Sequence, residues 1–196
     1  MKAFACLLAL PLALLLLSAE AHERIATPSS SEELAALIWT AHGARLRACK
    51  SESVQQPNAR IAQALVAIEL HATSRLEHVL ERVGLEIALI TGAQVPNWSL
   101  GIAQIRPRTL ARATLAEDIN LSTSAQALVS GDCSALNAAQ KVVSHLKHRC
   151  PANARESLCA LIVARGYNGQ GTVSRSNLAY LSVFEALLVE TAKNQR

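Results

Sequence analysis

Aromatic side chains are scarce: among 196 residues there are two Trp, two Tyr and two Phe. Modules that stack unpaired bases on such rings, and sugar-binding modules built on an aromatic platform, need more of them, so no nucleic-acid partner is expected. Glycine and proline, at 8 and 6 residues, are too few for collagen-like or low-complexity chains, and 17% charged against 51% hydrophobic residues is not a disordered composition. Period-two alternation and Asn-Gly hairpin turns are missing, which removes the usual strand signals. No Cys-x-x-Cys occurs, and His71, His78, His145 and His148 do not combine with the cysteines in zinc spacing. The sequence therefore implies no metal and no other cofactor. A formal charge of +4 suits approach to an anionic envelope without specifying a partner.

The N-terminus carries an address. Lys2 precedes the apolar run Ala3 to Leu17 and then Ser18-Ala19-Glu20-Ala21, with small residues where a signal peptidase needs them. Residues 1–21 read as a signal peptide cleaved after Ala21, which implies export to the periplasm or the extracellular space. The run falls short of the roughly 20 residues of a membrane-spanning helix, and no second run matches it, so no stable membrane insertion is expected after cleavage. Cys6 leaves with the leader. Cys49, Cys133, Cys150 and Cys159 remain, an even set consistent with two disulfides in an oxidising compartment. Of the three connectivities, the favoured one closes the short loop with Cys150–Cys159 and pairs Cys49 with Cys133 by elimination.

Helical periodicity dominates the rest. A polar lead-in ending in Pro28-Ser29-Ser30 precedes a helix from Ser31, with Glu32 and Glu33 in its first turn and Leu34, Leu37, Ile38 and Ala41 at helical spacing before Gly43. Residues 22–57 form this lead-in and first helix, and 58–196 the main domain. Further helices are expected over 58–71, with Ile61, Ala64, Leu65 and Ile68 buried, and over 74–91, with Leu76, Val79, Leu80, Val83 and Ile87 on one side before Gly92. Shorter ones follow near 107–116 and 122–129, then 134–149, 158–164 and 178–192. The fold class is all-α, or nearly so.

Three separated features are candidates for one cleft: Glu69 after the apolar Val66-Ala67-Ile68, the stretch Ser99 to Thr109, and Gly166-Tyr167-Asn168-Gly169. Gly101-Ile102-Ala103-Gln104-Ile105-Arg106-Pro107-Arg108-Thr109 resembles the Gly-Leu-Met-Gln-Ile-x-Pro-x-Thr loop of the lytic transglycosylase and goose-type lysozyme superfamily. Tyr167-Asn168-Gly169 resembles its Ala-Tyr-Asn-Ala-Gly motif with one residue missing. The order agrees, and the likeness spans about residues 58 to 190. It implies a lysozyme-like helical domain with a substrate cleft. The implied activity is that of a murein lytic transglycosylase, which cleaves the MurNAc-GlcNAc bond and leaves 1,6-anhydro-muramyl ends. A lysozyme-type hydrolase and a non-catalytic binding protein are the alternatives. Peptidoglycan strands are the implied partner, with an envelope-spanning assembly apparatus as a further candidate.

Breaking a glycosidic bond requires protonation of a poor leaving group, and an acid on a partly apolar helix face keeps its proton near neutral pH. By resemblance, Glu69 is the catalytic acid, Gln104 lines the glycan cleft, Tyr167 holds the glutamate or the N-acetyl group and Asn168 supports the loop. Gly101 allows close approach of backbone and sugar, and Ser99 is a candidate partner of the acid. In that family the glutamate is commonly followed by Ser and stands nearer the loop. Here Leu70 follows, Gly101 is 32 residues on, and the 74–91 helix is an insertion, so Glu86 is the alternative acid. Hydrolases use a second carboxylate. Asp118 and Asp132 sit among turn-forming neighbours that favour capping instead, which points to the one-acid route. Trp98 is either a stacking surface or a core anchor. His71 and His78 read as surface residues, and Lys141, Lys147, His148 and Arg149 as a solvated helix end.

Overall fold

The computed structural model describes residues 28–49, 57–95, 98–114, 121–167 and 175–193; residues 1–21, expected to be a signal peptide, and Asp118, Asn168 and Gly169 lie outside them. Among the described residues there are eight helices and no strand: α1 (Ser31–Arg47), α2 (Pro57–Ala72), α3 (Arg75–Thr91), α4 (Pro107–Ala113), α5 (Leu121–Val129), α6 (Asp132–Lys147), α7 (Glu156–Tyr167) and α8 (Arg175–Lys193). The all-α expectation is met. None of these helices is long and apolar enough to cross a membrane.

Helix α2 is the axis of the core. Every residue from Ile61 to Ile68 is buried, because α1, α6, α7 and α8 all pack against it. Such a helix needs apolar residues on all sides, and the Ile61-to-Ile68 run supplies them except at Gln63. Helix α8 covers α1 and α2 with Val183, Phe184, Leu187 and Thr191. Helices α4, α5 and α6 contact one another on another side of the core.

Helix ends follow local chemistry. The Ser30 hydroxyl accepts the Glu33 N–H at 3.2 Å, starting α1. Ser74 and Glu77 form a reciprocal capping box at α3, and Gly92 ends that helix at φ 68°. Pro107 occupies the first turn of α4. Two expectations change. Gly43 does not end α1, which continues to Arg47: the Trp39 ring lies so close over Gly43 that a Cβ there would come within 2.8 Å of Cε2. The buried stripe is therefore Ala35, Ile38, Trp39, Gly43 and Leu46, and Ala41 is exposed. Helix α7 also outruns its expected end at Ala164 and carries Tyr167 in its last turn.

Both disulfides have the favoured connectivity. Cys150–Cys159 closes the loop between α6 and α7, and Cys49–Cys133 joins the end of α1 to the first turn of α6 across 84 residues. Beside the latter, Arg45 grips the Asp132 carboxylate through two nitrogens. Asp132 thus does not cap the helix as its context suggested: Gly131 is the N-cap, and Asp132 is an acidic residue in the first turn, paired with Arg45.

Candidate functional site

Glu69 lies near the C-terminal end of α2, where the buried face reaches its limit. Its carboxyl is mostly enclosed, and burial pushes its pKa from the ordinary 4.5 up to about 6. The Tyr180 hydroxyl, on α8, opposes that rise by donating a 3.0 Å hydrogen bond to Oε1. Burial, followed by the nearby Glu69 charge, pushes both the Tyr180 and Tyr167 phenols well above their ordinary range. Both rings therefore remain neutral hydroxyl donors at any physiological pH.

Tyr167 connects this group to the motif loop. Its hydroxyl donates a 2.6 Å hydrogen bond to the Ala103 carbonyl. The loop is a closed turn: the Leu100 N–H bonds to the Ile105 carbonyl at 3.1 Å and the Gln104 N–H to the Gly101 carbonyl at 3.0 Å. Leu100, Ile102, Ala103 and Ile105 are buried beneath it. Gly101 has φ 64°, and an added Cβ would sit 2.0 Å from the Leu128 carbonyl oxygen of α5. Gln104 holds φ 49° without being glycine, a costly conformation that neighbouring bonds must maintain.

Glu81 of α3 supplies such bonds. Its Oε2 accepts the Gly101 N–H at 2.8 Å and its Oε1 accepts the Gln104 side-chain amide at 2.9 Å. The Gln104 amide also donates to the Gly101 carbonyl at 3.0 Å. The helix inserted between Glu69 and the loop thus holds the loop in shape. His78, one turn earlier, approaches Glu81 Oε2 at 3.7 Å and is largely enclosed, so the surface assignment for His78 is corrected. His71 is exposed, with its ring edge-on to His42 at 5.8 Å between centroids.

The other sequence candidates fall as follows. Glu86 is on the exposed side of α3, paired with Arg82 at 3.1 Å and well solvated. Ser99 is partly buried and makes no hydrogen bond to Glu69; the acid's hydroxyl partner is Tyr180. Trp98 is half exposed, so the reading of it as a core anchor is corrected. Gln104 is tied to Glu81 and Gly101 as described. No cluster of His, Cys, Asp or Glu suited to a metal occurs among the described residues. Cavities of about 200 and 490 Å³ lie along Leu188 of α8, and neither is bordered by Glu69 or by the motif loop.

Sequence reading missed Tyr180 and Glu81. Tyr180, partly buried, leads into the buried stripe Phe184, Leu187 and Thr191, and a phenol on such a stripe needs a partner for its hydroxyl. Glu81 shares its helix face with the buried Leu85 and Ala88, which is the signal that would have set it apart from Glu77 and Glu86. No protein-family model, no curated protein and no solved structure matches the chain.

Proposed function

We propose that the chain is an exported murein lytic transglycosylase in which Glu69 is the sole acid and base. The observation that carries this reading is a carboxyl raised to about 6 by burial and bonded to Tyr180, near a second phenol, Tyr167, that is anchored on the Gly101–Thr109 loop. A carboxyl with that pKa is protonated in about one molecule in ten at pH 7, against well under one in a hundred for an ordinary glutamate. It can therefore protonate the glycosidic oxygen between MurNAc and GlcNAc and afterwards accept a proton. In the family resembled, the sugar's N-acetyl group assists at the anomeric carbon and its 6-hydroxyl closes the anhydro ring. One protein carboxyl then suffices.

The engagement of two other carboxylates supports this economy. Asp132 is held by Arg45 and Glu81 by the loop, so both are engaged in holding the fold. The two disulfides suit an oxidising compartment, in keeping with export to the periplasm or beyond. Peptidoglycan strands are the proposed substrate.

The deciding experiment is digestion of purified peptidoglycan followed by mass spectrometry of the released fragments. Anhydro-muramyl ends support the proposal. Reducing muramic ends replace it with a hydrolase, and wall binding without release replaces it with a binding protein.

A further inference from the structure

Helix α3 turns its apolar stripe outward. Leu76, Val79, Leu80, Val83, Ile87 and Ile90 are exposed, Ile90 at 85%, and the face toward the body of the protein is made by His78, Glu81, Leu85 and Ala88. Periodicity placed the stripe on one side of the helix; the structure shows that this side meets solvent. Its spacing has a specific meaning. Leu76, Val83 and Ile90 recur every seven residues, and Leu80 and Ile87 interleave with the same period, the a and d pattern of a helix that packs along another helix.

We infer that this face pairs antiparallel with the same face of a second copy of the chain. With a twofold axis at Val83, Leu76 meets Ile90 of the second copy, Val79 meets Ile87 and Val83 meets its own copy, while Leu80 packs beside this seam. Trp98, which is 52% exposed and lies beside Gly84, flanks the axis. The seven apolar residues leave on the order of 700 Å² accessible, beyond the roughly 300–600 Å² of the largest patch on an ordinary monomer. Twofold pairing that covered both patches completely would bury on the order of 1,400 Å² of this apolar surface, within the roughly 1,200–2,000 Å² of a stable interface.

Charge favours a second copy over a membrane surface. The flanking residues Arg75, Glu77, Arg82 and Glu86 sum to zero, and the antiparallel register sets Glu86 opposite Leu80, Glu77 opposite Leu89 and Arg75 opposite Thr91 of the second copy. No like charges oppose one another. A helix that lies on an anionic membrane carries an excess of Lys and Arg along its polar flank, and α3 has none.

The test is sedimentation velocity of the disulfide-bonded chain at rising concentration. Twice the chain mass is expected by about 100 µM, a concentration that reveals even weak association. Leu80→Glu combined with Ile87→Glu should raise the dissociation constant at least ~100-fold with unchanged far-UV circular dichroism. Should that pair disturb folding, Ile90→Lys at the most exposed position should still weaken the dimer at least ~10-fold. A wild-type chain that remains monomeric throughout, an Ile90→Lys chain that dimerises undiminished, or a monomer that floats with phosphatidylglycerol vesicles overturns the inference. None of these outcomes depends on whether the chain cleaves glycan.

Discussion

The hydroxyl of Tyr180 donates to Oε1 of Glu69 at 3.0 Å, joining residues 111 positions apart. A donor to a carboxylate favours its ionised form, so this bond limits how far burial raises the acid. Cleavage by a protonated Glu69 should decline as pH rises through about 6. Tyr180→Phe removes the opposing bond, and the declining limb of kcat/KM should move to higher pH. An unmoved limb would separate Tyr180 from the reacting acid.

Replacing Glu69 with Gln should abolish fragment release, a loss of at least ~10²-fold if general acid catalysis is the role removed, while binding to insoluble peptidoglycan persists. Glu86→Gln, at a solvated ion pair, should leave turnover within about twofold and stability within ~0.5 kcal/mol. Fragment release measured for both variants under one set of conditions distinguishes the two acids.

A carboxyl whose pKa is raised on folding binds its proton more tightly in the native state than in the unfolded chain. Its stabilising contribution is present below pH 4.5 and lost as pH rises through about 6, amounting to ~2 kcal/mol between these limits. Glu69→Gln carries no such penalty. Its melting temperature should exceed that of the wild type at pH 7, and the gap should shrink as pH falls toward 4. Equal shifts at both pH values would show that Glu69 is not desolvated.

Gly101→Ala places a methyl 2.0 Å from the Leu128 carbonyl oxygen at a backbone φ of +64°. Two independent strains act there, so the variant should lose at least ~3 kcal/mol or fail to fold, as read by chemical denaturation. Gly92→Ala, with the same sign of φ but open space around it, should lose only ~1 kcal/mol.

Glu81→Ala leaves the Gly101 N–H without its acceptor and the Gln104 amide with only the Gly101 carbonyl. Leaving buried donors unpaired costs ~1–3 kcal/mol, and the Gln104 turn loses part of what holds it at φ 49°. The expected kinetic signature is a raised KM with the pH of the declining limb unchanged, since Glu81 positions the loop and carries no proton to substrate. A displaced limb would instead give Glu81 a part in the acid chemistry.

What was legible in the letters was local. Ser74, Gly92 and Pro107 announce helix boundaries because each acts within a few residues of itself, and the nine-residue spacing of Cys150 and Cys159 suggests its own closure. Gly43 misleads because a ring four residues earlier converts a helix breaker into a packing surface. The α3 stripe shows the limit of periodicity, which tells which residues share a face but not what that face meets. Glu69, Tyr167 and the Gly101 loop carry recognisable neighbours in sequence and come together in space. Tyr180 and Glu81 carry none, and their partners are set only by how α8 lies along α2 and how α3 meets the loop.

Tyr180 stands on α8, the last of the described helices, 111 residues after the carboxyl it bonds. A ribosome releases the polypeptide from its first residue onward, so the carboxyl emerges long before the phenol that restrains it. Any product truncated ahead of α8 would keep its acid and loop yet lack the restraining hydroxyl. The surroundings of the Glu69 carboxyl are therefore completed only after the chain has run on through α8 and that helix has packed along α2.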